Sequence, residues 1–98
     1  MNDIDRLQLL INIISEYLQT NTNEMGKLAF DIESLCNSIE NTSEKFKHSF
    51  SQAWDTLEIL QVNKSESKIQ PNTNDINVVN NLLSNLVIEA KNEITIRS

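Results

Sequence analysis

The chain has 98 residues, which fits one domain, 1–98, with a thin hydrophobic core. Its single Gly and single Pro leave few residues for tight hairpin turns, so the composition favours helices joined by Asn-, Ser- and Thr-rich loops. The lone Cys36 excludes an intramolecular disulfide. The acidic N-terminus is untypical of a signal peptide, and the apolar run from Leu7 to Ile14 is too short to span a bilayer, so we expect a cytoplasmic protein.

The charge of the chain is unevenly distributed. Fourteen acids against eight Lys and Arg give a formal net charge of −6. Residues 1–44 hold eight acids and two bases, whereas residues 45–98 hold six of each. The excess of acids in residues 1–44 has two interpretations: it belongs to ordinary solvated helix surfaces, or it forms an acidic docking face for a basic partner. Direct nucleic-acid binding is disfavoured because no basic patch is present.

The hydrophobic pattern predicts an all-α fold, an antiparallel bundle of about four helices spanning residues 3–19, 22–40, 43–62 and 74–95. In the first helix, Asn2 or Asp3 is placed to cap the N-terminus. Its apolar stripe is wide, which predicts contacts on two sides. The stripe consists of Ile4, Leu7, Leu10, Ile11, Ile14 and Leu18, widened by Leu9, Ile13 and Tyr17.

The second helix has the cleanest apolar stripe. Asn21 and Glu24 have the spacing of a capping box at its start. Gly26 in the first turn costs about 1 kcal/mol relative to Ala, which indicates either close approach of another backbone or a frayed first turn. The stripe comprises Met25, Leu28, Ala29, Ile32, Leu35, Cys36 and Ile39, so we interpret Cys36 as a small buried apolar residue.

The third helix is predicted to begin after Thr42 or Ser43 and to form the centre of the core, because it is rich in aromatic residues. Residues 63–73 are predicted to be a loop, either mobile or part of a binding surface. The fourth helix follows, and we expect its end to fray from Ile94 onward. The two stripes consist of Phe46, Phe50, Ala53, Trp54, Leu57 and Leu60, and of Ile76, Val79, Leu82, Leu83, Leu86, Val87, Ala90 and Ile94.

Motifs for catalysis are missing from the sequence. There is no metal-ligand cluster, Gly-rich phosphate loop or nucleophile motif, so we expect no catalytic, cofactor or metal site. His48 is out of phase with the apolar stripe and is interpreted as an exposed residue without a function. Trp54 has two interpretations: a core residue with Glu58 paired to a nearby base, or a neighbour of an acidic patch formed by Asp55 and Glu58.

A distinctive pattern runs between Leu10 and Leu60, about half of the chain: a helix, an acidic second helix, and a third helix with the order Phe, Phe, Trp-x-x-Leu-Glu. The segments that carry it are Ser15-Glu16-Tyr17-Leu18, Asp31-Ile32-Glu33-Ser34-Leu35, Ile39-Glu40, Phe46 to Phe50 and Trp54-Asp55-Thr56-Leu57-Glu58. In this pattern the sequence resembles the small helical immunity proteins of contact-dependent growth-inhibition and colicin-like toxin systems.

The resemblance implies a bacterial inhibitor that binds a cognate toxin domain and occludes its active site. The partner would be basic, in many such systems a nuclease such as an RNase, and an acidic surface would fit its cleft. The alternative is a helical adaptor that self-associates through leftover apolar surface. We predict that the partner-binding acids are drawn from Glu24, Asp31, Glu33, Glu40, Asp55 and Glu58.

Overall fold

A computed structural model describes residues 2–20, 25–66 and 72–98, with the side chains of residues 63–66 excepted. The described residues form four α-helices and no strand, which confirms the all-α prediction. The helices are α1 (Asp3–Thr20), α2 (Met25–Ser38), α3 (Glu44–Glu66) and α4 (Thr73–Arg97).

The four helices form an elongated antiparallel bundle measuring 43 × 22 × 22 Å. Each helix packs against two others, so that α1 and α3 lie on one diagonal and α2 and α4 on the other. The contact of α1 with both α2 and α4 confirms the coverage on two sides that its wide apolar stripe predicts.

The core is built from the apolar stripes of all four helices, as the three- and four-residue spacing predicts. In α3, Phe46 is fully buried, while Phe50 and Trp54 pack against the core from its edge and are half-buried. The third helix therefore supplies one of the largest core side chains without placing all of its aromatic residues at the centre.

Polar side chains cap three of the helices at their N-termini. Asn2 accepts a hydrogen bond from the Asp5 N–H at 2.8 Å, which confirms Asn2 as the cap of α1. The Ser43 hydroxyl accepts from the Phe46 N–H at 3.2 Å in α3. Asn72 and Asp75 form a complete capping box at the start of α4.

Several predicted helix ends differ from the structure. Helix α2 ends at Ser38, α3 continues to Glu66 and α4 begins at Thr73, so residues 63–66 of the predicted 63–73 loop are helical. The loop prediction was wrong there because a polar turn at the end of a helix has no apolar stripe to reveal it. Residues 67–71 and the Asn21–Glu24 capping box lie outside the described residues.

Gly26 allows a close approach in the first turn of α2, but the neighbour is a side chain and not another backbone. A Cβ atom at Gly26 would lie 2.8 Å from Gln61 Nε2 of α3. This contact also shows the antiparallel register of α2 against α3.

A polar network joins the four helix ends at the opposite end of the bundle. Glu93 of α4 is only 3% exposed and accepts a hydrogen bond from the Ser43 N–H at 2.6 Å. Arg97 contacts Glu93 (Nε to Oε2, 3.6 Å) and Asp3 of α1 (Nη1 to Oδ2, 2.9 Å), and it donates to the Glu40 carbonyl after α2. The predicted fraying of the chain end was therefore wrong, because Arg97 is held by these three groups.

Both carboxylates of this helix-end network are held in their charged form. Burial acts to raise the pKa of Glu93, but the hydrogen bonds from Ser43 and the charge of Arg97 outweigh it and lower the pKa below 4.5. Burial likewise acts to raise the pKa of Asp3, and the hydrogen bonds from Arg6, the Glu40 N–H and Arg97 bring it below 3.8.

Candidate partner-binding surface

The outer face of α2 carries an exposed aromatic residue between acidic side chains. Phe30 is 68% exposed, although it belongs to a helix whose other large apolar side chains face the core. Successive helical residues differ by about 100°, which places Phe30 on the side of α2 that faces away from the core stripe. A large exposed aromatic side chain with polar neighbours is typical of a binding surface.

Asp31 and Glu33 lie on opposite sides of this face. Asp31 lines a groove between α2 and α1. Glu33 lies two residues further along, about 160° away around the helix, on the same side as Gly26, which faces α3. Phe30 lies on the solvent side between them. The two acids therefore flank the aromatic side chain and do not form one cluster.

The α3 helix adds a third acid to this surface. Trp54, Glu58 and Gln61 follow a four- and three-residue spacing, so they share the side of α3 on which Gln61 contacts Gly26. The level of Glu58 follows from the contact between Gly26 and Gln61. Phe30 lies about one turn after Gly26 on α2, and Glu58 lies about one turn before Gln61 on α3. Because α2 and α3 are antiparallel, Glu58 is at the level of Phe30.

Asp55 and Glu40 have different positions from the acids nearest Phe30. Asp55 is exposed on α3, turned further toward solvent than Trp54. Glu40 is exposed beyond the end of α2, where its main chain belongs to the helix-end network. Glu24 lies outside the described residues. The structure thus places Asp31 and Glu33 on either side of Phe30 and Glu58 at its level on α3, whereas Asp55 faces solvent on α3 and Glu40 lies at the end of the bundle.

The acids near Phe30 are available to a partner because they form no ion pair with a described side chain. The ion pairs formed by described side chains involve Asp3, Glu44 and Glu93, and none involves Asp31, Glu33, Asp55 or Glu58. The interpretation in which Glu58 pairs with a base therefore finds no partner among the described side chains. Trp54 packs against the core, and its indole Nε1 is enclosed without a hydrogen-bond partner in the described part of the chain.

The groups that could support chemistry are placed unfavourably for it. Burial raises the pKa of the Cys36 thiol to about 12, so Cys36 stays protonated and is not a nucleophile at neutral pH. His48 is exposed, as predicted from its phase. Among the described residues, no group of three or more His, Cys, Asp or Glu side chains is arranged to hold a metal ion.

Within the described ranges, no helix combines the length and the apolar character that crossing a bilayer requires.

Two features of this surface and its surroundings were missed from the sequence. Phe30 falls outside the apolar stripe of α2, and that position alone is a signal that it could be exposed. Glu93 and Arg97 continue the α4 stripe of Val79, Leu83 and Leu86 at three- and four-residue spacing. Charged residues in phase with a core stripe indicate a buried pair, which is the signal that could have revealed the helix-end network.

The chain was also compared with known proteins. No family model matches it, and searches of curated proteins and of solved structures find no match. What the protein does must therefore be inferred from its own surface.

Proposed function

We propose that the protein is a bacterial immunity protein that binds a basic toxin domain in the cytoplasm and blocks its active site. The observation that carries the proposal is the exposed Phe30 on the outer face of α2, which Asp31 and Glu33 of the same helix flank and which lies level with Glu58 of α3. None of these three acids has an ion partner among the described side chains. An exposed aromatic anchor whose described acidic neighbours outnumber the neighbouring base Lys27 is chemistry that a basic protein surface would recognise.

Charge gives this surface a role in association. The surplus of acids in residues 1–44 attracts a basic partner before contact and raises the association rate, an effect that weakens as salt screens it. Phe30 then supplies the apolar contact that slows dissociation. Many toxins of the resembled systems are nucleases with basic clefts, so we propose a nuclease, such as an RNase, as the partner. In this account the protein binds neither nucleic acid nor a cofactor and catalyses no reaction.

Capture of the partner tests the proposal. The tagged protein is expressed in its own bacterium, and the proteins that copurify with it are identified by mass spectrometry. We expect one basic protein in about equal amount, lost with Phe30→Ala and with the double variant Asp31→Lys/Glu33→Lys. The matched control Glu44→Lys/Glu89→Lys changes the net charge equally on α3 and α4, outside the predicted set of partner-binding acids, and should retain the partner. Recovery of the tagged protein alone would contradict the proposal.

A self-associating adaptor remains the second candidate, because apolar side chains are also exposed on α3 and α4. Ser43 at the start of α3 contacts Glu93 of α4. Measured from this contact, Ile59 lies about as far along α3 as Val78 lies along α4. The two exposed side chains are therefore at the same level on neighbouring helices. Sedimentation equilibrium separates the two functions. The adaptor requires a dimer that Ile59→Asp dissociates, whereas the immunity function is compatible with a monomer.

A further inference from the structure

A groove of about 170 Å³ opens between α1 and α2. It lies on the side of α2 that carries Asp31, at the border of the proposed partner-binding surface. Apolar and aromatic side chains line it together with charged ones at its edge. The lining side chains are Ile13, Glu16, Tyr17, Lys27, Leu28 and Asp31, joined by Thr20.

The size of the groove limits its occupant. Pockets for cofactors and drug-sized ligands usually measure about 300–1,000 Å³, so a groove of 170 Å³ is too small for them. It matches a single long side chain. Leu28 is buried, and Ile13 and Tyr17 are half-buried against the core, so these three residues provide a firm apolar wall.

The charges at the edge of the groove favour a cation. Glu16 of α1 and Asp31 of α2 line the groove from two different helices, and neither forms an ion pair with a described side chain. Lys27 is one helical turn before Asp31, but no ion pair joins them in the structure. A base that precedes an acid by four residues is the less favourable order for such a pair. Two carboxylates against one ammonium leave the groove negative.

We propose that this groove receives one arginine side chain of the basic partner. The planar guanidinium can lie against the ring of Tyr17 while its donors reach Glu16 and Asp31, and the apolar stem can cover Leu28. Lysine fits less well, because its compact ammonium lacks the planar set of five donors that two separated carboxylates can share. The inference rests on the proposed function only for the source of the arginine.

The test uses the purified full-length protein and small probes, so it does not depend on finding the partner. N-acetyl-arginine amide is titrated into the isotopically labelled protein, and amide and Tyr17 ring resonances are recorded by NMR. N-acetyl-citrulline amide, a neutral molecule of nearly the same shape, is the control probe. We expect saturable shifts at Tyr17 and the surrounding groove residues with arginine and none with citrulline.

Three variants separate the groove from general charge attraction. Glu16→Gln/Asp31→Asn should weaken binding of the arginine probe roughly tenfold, the loss expected for two partly exposed ion pairs. Asp5→Asn/Glu44→Gln removes the same charge at the opposite end of the bundle, outside the partner-binding surface, and should change binding of the probe by less than about twofold. Lys27→Gln should tighten binding, because it removes the competing cation.

The outcomes are decisive in both directions. Equal shifts with the two probes, no saturable shift with arginine, or equal weakening by both double variants would overturn the groove assignment. If the probe behaves as expected while capture yields no partner, the groove binds arginine and the immunity function fails. If a partner is captured and Glu16→Gln/Asp31→Asn binds it unchanged, the function stands and the groove is not its arginine site.

Discussion

Replacement of Glu93 by Gln tests whether the helix-end network stabilises the bundle. The substitution keeps the size of the side chain and one acceptor oxygen, but it removes the negative charge. In the wild type this charge faces Arg97 and also strengthens the hydrogen bond that the Ser43 N–H donates. A hydrogen bond to a charged group contributes about 1.5–3 kcal/mol, and loss of one partner of a fully buried ion pair costs about 3–5 kcal/mol. Arg97 is partly exposed and keeps Asp3, so the lower range applies, about 2 kcal/mol.

Urea denaturation measures this loss. Trp54 is the only tryptophan, so its fluorescence reports the unfolding of α3, and circular dichroism reports the loss of helix. With a urea m-value of about 1–3 kcal/mol per molar for a domain of this size, the midpoint should fall by roughly 1 M. Glu33→Gln makes the same chemical change at an exposed site without a described ion partner and should shift the free energy of unfolding by less than about 0.5 kcal/mol.

The comparison between these two variants decides the matter. If Glu93→Gln is as stable as Glu33→Gln, the network does not stabilise the fold and the anchoring of the last helical turn by Arg97 has no energetic consequence. An equal, large loss in both variants would show that glutamate replacement destabilises this chain for reasons unrelated to Arg97.

Three further predictions follow from buried or crowded groups. The pKa values of Asp3 and Glu93 are lowered in the folded protein from their ordinary values of 3.8 and 4.5. Both carboxylates therefore stabilise the fold fully when the pH is above the ordinary pKa, and this stabilisation is lost as the pH falls through the lowered pKa. The difference in urea midpoint between wild type and Glu93→Gln should therefore shrink below about pH 4, and a constant difference would contradict this. Gly26→Ala should raise the free energy of unfolding by about 0.5–1 kcal/mol, because Ala favours helix and the atom it meets, Gln61 Nε2, is the end of a flexible side chain. A loss above 1 kcal/mol, measured by the same urea titration, would show that Gln61 cannot move. Cys36 should react with a thiol reagent at pH 8 only as fast as the protein opens, because its side chain is buried in the core; labelling at the rate of a free thiol would refute its burial.

The sequence was sufficient for the parts of the fold that depend on local periodicity. Each apolar stripe marked a helix, and the cap of α1 was narrowed to Asn2 or Asp3, of which the structure shows Asn2. The last turn of α3 was missed because its residues are polar and follow no stripe. The anchoring of Arg97 was missed because its partner Asp3 is at the opposite end of the chain, and such a contact exists only after the helices have packed.

The candidate surface was predictable in part. That Asp31 and Glu33 point to different sides of one helix follows from two residues of spacing at about 100° each. Which helix each acid faces does not follow, because it depends on how α2 packs between α1 and α3. The position of Glu58 at the level of Phe30 likewise requires the antiparallel register that the Gly26–Gln61 contact reveals.

Growth of cells that express the captured partner tests neutralisation most directly. The partner is placed under an inducible promoter in a heterologous bacterium, alone or together with this protein or its Phe30→Ala variant. We expect that the partner alone stops growth, that the wild-type protein restores it, and that Phe30→Ala restores it less at equal expression. The proposal that this protein neutralises a toxin would be contradicted if the wild-type protein did not relieve the growth arrest. It would also be contradicted if the partner alone did not impair growth.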